Sequence, residues 1–378
     1  MIKKIVILFL VLCSFSVMQG NLMPSVLNNN NTLFYNCIQS ISSNHLGGYE
    51  TVCTNYSFTN QAVWSKKIHT RPDQSTIEET FIYAYDHADR PTTTTYQLNN
   101  NDPVILSKNY YDDLGRLKEK ALHDEREQIS YEYNIRSWLK NIDSTPYKET
   151  LHYTDVSQAR YNGNIAQMDW QSELYTKKQS YHFQYDGLNR LTQASYKQND
   201  LSISLSNYSE SMTYDKMGNI THLTRHAPPM FGSNLLDNLE IKYNGNQLKS
   251  VIEYGDPTRG FVQAEQSNAQ YAYNRNGSMV RDDNSGITNI TYNLINLPQQ
   301  IDFSGMHNTR YVYGMDGTKR QVIHSTAERV LSTSKNGKNG KVSQSRQDIT
   351  DYCGNIVYEN GAIKYILNPE GYVILENN

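Results

Sequence analysis

The stretch Tyr181-His182-Phe183-Gln184-Tyr185-Asp186-Gly187-Leu188-Asn189-Arg190-Leu191-Thr192-Gln193-Ala194-Ser195-Tyr196 decides the fold. Tyr181, Phe183 and Tyr185 alternate with His182 and Gln184, the period of two expected of a half-buried strand. Asp186 to Asn189 supply turn chemistry, because Asp can bond the backbone two residues on and Gly or Asn tolerates positive φ. Leu191 starts a return strand, so the unit is a β-hairpin.

The unit recurs along the chain. Tyr85-Asp86-His87-Ala88-Asp89-Arg90-Pro91 is an early copy, and Tyr111-Asp112-Asp113-Leu114-Gly115-Arg116-Leu117 is nearly a duplicate of the first. Further copies start at Tyr133, Tyr161, Tyr214, Tyr243, Tyr273, Tyr292 and Tyr313, and Tyr352-Cys353-Gly354-Asn355-Ile356 closes the series. By residue number, successive anchor tyrosines up to Tyr313 lie 19 to 30 apart. That spacing gives one supersecondary unit per repeat. A lone hairpin is unstable in water, whereas stacked hairpins cover one another's edges and share an aromatic face. The fold expected is all-β: stacked antiparallel β-hairpins in a spiralling sheet, with less than about 10% helix against a typical third.

Composition agrees. The chain of 378 residues has 30 tyrosines and 9 phenylalanines, with mean hydropathy -0.68. It is too aromatic and too patterned for a disordered chain. The net charge is -3, or -5 without residues 1–20, so there is no electrostatic footprint for binding nucleic acid. Residues 1–20 read as a signal peptide: Lys3 and Lys4, an apolar core from Ile5, then Ser14, Ser16 and Gly20. This places the protein outside the cytoplasm, secreted, periplasmic or at the cell surface of a bacterium. Lipid attachment at Cys13 fits less well, because Leu12 stands where a small residue is expected. In an oxidising compartment Cys37 and Cys53 could pair across their polar loop, or remain two small hydrophobes.

Residues 21–75 do not show the repeat and read as a leader or cap segment on the first hairpin. The repeat domain runs over 76–378. Two stretches interrupt it as loop insertions, 226–238 with Pro228-Pro229 and Gly232, and 324–349 with a Gly-rich basic run.

The residues Tyr111 to Leu117, Tyr131 to Trp138, Arg160 to Ile165 and Asp351 to Tyr372 resemble YD-repeat proteins of the Rhs type, in the version found in Bacteroidetes. The resemblance runs from about Thr76 to the C-terminus. It implies a long β-sheet that spirals into a hollow shell, which in polymorphic toxins encloses a C-terminal effector released by self-cleavage at a D-x-x-G-N/S-x-R type core. No stretch here fits that core. Asp316-Gly317-Thr318-Lys319 and Asp215-Lys216-Met217-Gly218-Asn219 read as ordinary turns. The expectation is a segment lacking the core and its effector.

Motifs for chemistry are scarce. No H-E-x-x-H, G-x-S-x-G or phosphate-binding loop occurs. Ser332-Thr333-Ser334-Lys335 matches S-x-x-K without its companion motifs. His222 and His226 lack a third metal ligand, and the acidic pairs Asp112-Asp113 and Asp282-Asp283 fall in turns. No catalytic, cofactor or metal residue is expected. The function expected is an exported, non-catalytic structural scaffold, a shell segment of an Rhs-like toxin or cell-surface system. The alternative is an adhesin or carbohydrate-binding module with exposed aromatics. Partners to expect are an enclosed or downstream effector polypeptide, a surface glycan, or another copy through open sheet edges, and not nucleic acid.

Overall fold

The computed structural model describes residues 36–72, 74–198, 207–230, 233–264, 270–332 and 340–375. The signal-like residues 1–20 lie outside them. Among the described residues there are 27 strands and no helix, and consecutive strands pair antiparallel, so the all-β hairpin fold is the observed one. The chain divides into two compact units, residues 1–133 with 142–145, and residues 134–141 with 146–378.

In the first unit, β1 (Asn36–Ser43), β2 (Tyr49–Tyr56), β3 (Ala62–Arg71), β4 (Gln74–Tyr85), β5 (Pro91–Leu98), β6 (Val104–Tyr111), β7 (Leu117–Leu122) and β8 (Glu127–Tyr133) each pair with the next. The alternation in Phe81, Tyr83 and Tyr85 sets one face. Phe81 lies opposite Tyr96 with ring centroids 4.9 Å apart, and Ile77, Tyr96, Leu98 and Leu106 are buried. The segment read as a cap instead belongs to the sheet, because Ser57 can do the work of an Asp. The Ser57 hydroxyl accepts from the Gln61 N–H at 3.1 Å, and Asn60 takes φ 64°. The register sets Cys53 opposite Gln39 and Cys37 opposite Asn55.

In the second unit β10 (Tyr147–His152), β11 (Gln167–Ser172), β12 (Tyr175–Tyr185), β13 (Leu191–Gln198), β14 (Glu210–Tyr214), β15 (Ile220–Met230), β16 (Ser233–Asn244) and β17 (Gln247–Glu253) pair in sequence. A ten-stranded sheet follows, from β18 (Tyr271–Tyr273) to β27 (Gly371–Val373), again in sequential order. The two stretches read as loop insertions are mostly long hairpins. β15 runs through Pro228-Pro229, where the register shifts between His226 and Met230, so the prolines sit in an irregular stretch that owes no ladder bond. β23 (Lys319–Ser332) and β24 (Gly340–Cys353) keep strict register from Gln321 opposite Asp351 to Ser332 opposite Gly340; residues 333–339 lie outside the described residues. A strand of mostly polar residues carries no alternating hydrophobic signal, which is why these strands read as loops.

The densest packing of this unit lies where β24, β25 (Ile356–Glu359) and β26 (Ala362–Asn368) meet. Ile356 pairs with Ile366, both 0% exposed, beside buried Cys353, Val357 and Tyr358. Cys353, in the repeat that closes the series, thus fills core space. Ile366→Ala is expected to cost about 2–5 kcal/mol through the cavity it leaves, measured as a lowered urea midpoint. A substitution without effect would mean that this cluster does not hold the sheet together.

Candidate functional site

The residues that define the repeat converge on one edge of the sheet, where the turns lie. Each turn begins with an Asp or Asn whose side-chain oxygen gathers backbone donors. Asp86 Oδ1 accepts from the N–H of Ala88 at 2.9 Å and of Arg90 at 3.0 Å, and Asp112, Asn134, Asp186, Asp215, Asn274 and Asn293 repeat the pattern. The fourth turn residue is left-handed in every case, as at Asp89, Gly115, Ser137, Asn189, Gly218, Gly277 and Asn296. This is a type I turn followed by a left-handed residue, and the register shift after each anchor tyrosine's neighbour is the resulting bulge. At Gly115 a Cβ would also lie 3.2 Å from the Arg90 guanidinium, so Gly suits both demands.

From Tyr85 to Tyr292 the anchor tyrosine of a hairpin reaches back to the hairpin before it. In the first unit the hydroxyls of Tyr85, Tyr111 and Tyr133 donate to the carbonyls of Ala62, Pro91 and Leu117 at 2.8–2.9 Å. In the second, Tyr153, Tyr185, Tyr214, Tyr243, Tyr273 and Tyr292 donate to Leu139, Ile165, Leu191, Ile220, Leu248 and Met279 at 2.5–3.0 Å. The acceptor is each time the first residue after the preceding turn. Tyr153, and not Tyr161, is therefore the anchor of its repeat. Tyr153 is buried and Tyr161 is exposed, its carbonyl accepting from Arg136. Burial pushes the phenols of Tyr85, Tyr185 and Tyr214 up, so they remain donors through the neutral range.

The arginine of the motif joins the same system. Arg90, Arg116 and Arg190 each donate Nε to the Asp of their own turn at 2.6–2.7 Å. Their guanidinium groups also lie over the next anchor ring, 4.5–4.8 Å from the centroids of Tyr111, Tyr133 and Tyr214. Consecutive turns touch directly. In the second unit, Asn162 Nδ2 donates to Asn189 Oδ1, Arg190 to the Asp215 carbonyl, Asn219 Nδ2 to Asn246 Oδ1, and Ser278 Oγ to Asn296 Oδ1. The turns form a continuous ridge.

Away from the ridge, four buried carboxylates escaped the sequence reading; one of them, Asp351, accepts from Gln321 Nε2 at 2.7 Å. Asp169 is 4% exposed and accepts from His152 Nε2 at 3.0 Å and from Lys178 at 2.8 Å. Asp237, fully buried, accepts from Arg225 Nε at 2.7 Å and the Phe261 N–H at 2.6 Å. Glu79 accepts from the Tyr96 hydroxyl at 2.9 Å. Burial and the neighbouring carboxylate push that phenol well above its ordinary range. Only register brings these partners together, so no local motif marks them. Each carboxylate is occupied by donors, an arrangement suited to holding strands rather than to proton transfer.

The sequence candidates for chemistry scatter. His222 and His226 lie on β15, where four residues of extended strand span roughly 13 Å. Their Nδ1 atoms face Thr213 Oγ1 and the Ser209 carbonyl, each at 3.3 Å. Ser332 ends β23, and Lys335 lies outside the described residues. Asp112 serves its turn and Asp283 meets Arg281 at 3.1 Å. Among the aromatics, Trp170, Tyr181 and Phe183 stack with centroids 5.3 and 5.9 Å apart and interplanar angles of 20° and 25°. Their faces are therefore turned on one another.

A comparison with known protein families finds no match, and neither does one with curated proteins. Among solved structures, the chain is similar to chains of the TcdB2-TccC3-Cdc42 complex (14% identity, TM-score 0.55), of TcdB2-TccC3 (15%, 0.55) and of the Tc holotoxin pore of Photorhabdus luminescens (15%, 0.54). The matches cover 89%, 86% and 86% of this chain but only 16%, 16% and 15% of those chains. At such identity the likeness is one of fold, and this chain spans about a sixth of the length of the chains it matches.

Two predictions follow from the ridge. Tyr214→Phe removes one phenol and strands the Leu191 carbonyl, so it is expected to cost about 1 kcal/mol, seen as a lower denaturation midpoint with spectra unchanged. The second concerns acid. The Arg90 guanidinium, opposed by partial burial and helped by the Arg90 and Ala88 N–H groups, holds Asp86 at about 2 against an ordinary 3.8. A carboxylate depressed on folding contributes stability above its unfolded pKa and loses it as pH falls through the folded value. Stability is thus expected to fall between about pH 4 and pH 2, and Asp86→Asn to flatten that limb in denaturation at stepped pH. An unchanged slope would mean the ion pair adds nothing.

Proposed function

We propose that this chain is an exported, non-catalytic structural scaffold, a YD-repeat segment that builds part of an Rhs-like shell in a polymorphic-toxin or cell-surface system. The observation that carries the reading is the ridge: the Tyr, Asp and Arg of each repeat bond their own turn and the neighbouring one, so the repeated residues serve assembly. The fold likeness to Tc toxin chains over most of the chain supports the same reading. The partner proposed is an effector polypeptide, enclosed by or downstream of the shell. The stacked rings of Trp170, Tyr181 and Phe183 leave few open aromatic faces for a sugar, which favours the scaffold over the adhesin.

The test is made on the protein from its native host. Culture fractionation with intact-mass measurement is expected to find it outside the cytoplasm. An effector polypeptide that copurifies should resist protease until the scaffold is unfolded. Cytoplasmic retention would refute export. Immediate digestion of the copurifying chain would refute enclosure, and substrate turnover abolished by one substitution would refute the non-catalytic assignment.

A further inference from the structure

The turn ridge of the second unit has an outer rim that its hydrogen bonds do not use. The turn at 134–138 touches 161–164 through Arg136, which donates to the Tyr161 carbonyl, and the ridge continues through the turns at 186–190, 215–219 and 244–247. It then passes through 274–278 and 293–297 to 314–318, where a Cβ at Gly317 would lie 3.5 Å from Leu297 Cδ1. The free positions of these turns carry large apolar side chains: Ile135, Leu188, Met217, Leu294 and Met315, all at least 70% exposed. In the same turns, and in Arg160 at the entry to the second of them, stand five cations and three carboxylates, in a chain of net charge -3. Of the carboxylates, Asp186 is neutralised by Arg190. Lys216 and Arg275 are exposed, beside Met217 and within the turn at 274–278, and neither makes an ion pair among the described residues.

Separate apolar tips set among cations are an unusual surface, although the turns at 161–164, 244–247 and 274–278 carry none of the five. A hairpin occupies two strand spacings, so tips on consecutive turns stand roughly 10 Å apart, and tips separated by turns without one stand two or three times as far. At that spacing they form no contiguous apolar patch and no groove of the kind a folded protein partner packs against. A lipid headgroup layer suits such a row, since each tip can enter it separately while cations stay at the phosphates. We propose that the turn ridge of the second unit is a docking edge for an anionic membrane surface. It inserts Ile135, Leu188, Met217, Leu294 and Met315 shallowly and sets Lys216 and Arg275 against lipid phosphate. The inference does not depend on the scaffold reading, since it rests on the rim and not on what the sheet encloses.

Cosedimentation of the full chain with vesicles tests it. Binding is expected to vesicles of phosphatidylcholine containing phosphatidylglycerol, weakening with added salt, and little to phosphatidylcholine alone. The variant Ile135→Ser, Leu188→Ser, Met217→Ser, Leu294→Ser keeps every ridge hydrogen bond. It is expected to lower partitioning by about tenfold or more, with circular dichroism unchanged. Lys216→Glu with Arg275→Glu should lower it as well. Equal partitioning of the apolar variant and the parent would overturn the proposal, as would no binding to the anionic vesicles. Loss on charge reversal alone would also overturn it, because it would mark the rim as a site for an acidic macromolecule and not for lipid.

Discussion

The structure depends on a half-buried phenol finding the equivalent carbonyl in repeat after repeat from Tyr85 to Tyr292. Backbone bonds between antiparallel strands hold neighbours together, but a slip of two residues would preserve the faces of the sheet. The tyrosine removes that freedom. Its hydroxyl reaches the first carbonyl beyond the preceding turn, so a slipped hairpin would leave a half-buried donor without its acceptor. Tyr85 onto Ala62, Tyr214 onto Leu191 and Tyr273 onto Leu248 are the same contact at different places in the chain. Phenylalanine would supply the ring but not the register, which gives a physical reason for the thirty tyrosines against nine phenylalanines.

The turn residues complete the device. Aspartate closes the turn, receives the arginine of its own repeat, and so directs that arginine over the next tyrosine. Where Asn replaces Asp, as at Asn134, the backbone bonds remain without the charge, and the arginine two residues on lies over Trp138 instead. The turn needs the oxygen, and the charge serves the link to the next repeat. Because these groups are committed inward, the positions between them are free to carry whatever the outer rim requires.

The two faces of the sheet are treated differently. One carries the anchor rings and the stack around Trp170; the other holds polar positions such as Gln167, Asp169, Ser180 and His182, opposite one another in register. Asp169 there is bound by His152 and Lys178 from two other strands. A charged group so placed costs little only because its donors arrive together, which makes the pairing a check on correct strand order.

Much of this was legible from the sequence. Alternation of aromatic and polar residues, with Asp or Asn followed by Gly or Asn, is local information, and local information specifies hairpins, their turns and the left-handed residue within each. It also led to the all-β fold of stacked hairpins. What the sequence could not determine was which tyrosine serves as anchor where two are close, as with Tyr153 and Tyr161. That choice rests on a carbonyl many residues earlier. Nor could it show that Ser57 closes a turn of the same kind, or that the polar stretches beside Pro228 and beyond Ile323 continue as strands. In those places a neighbour's ladder, not hydrophobic periodicity, holds the chain extended. The buried carboxylates and the apolar rim likewise exist only once the strands are in order, because sequence spacing does not encode which residues register brings face to face.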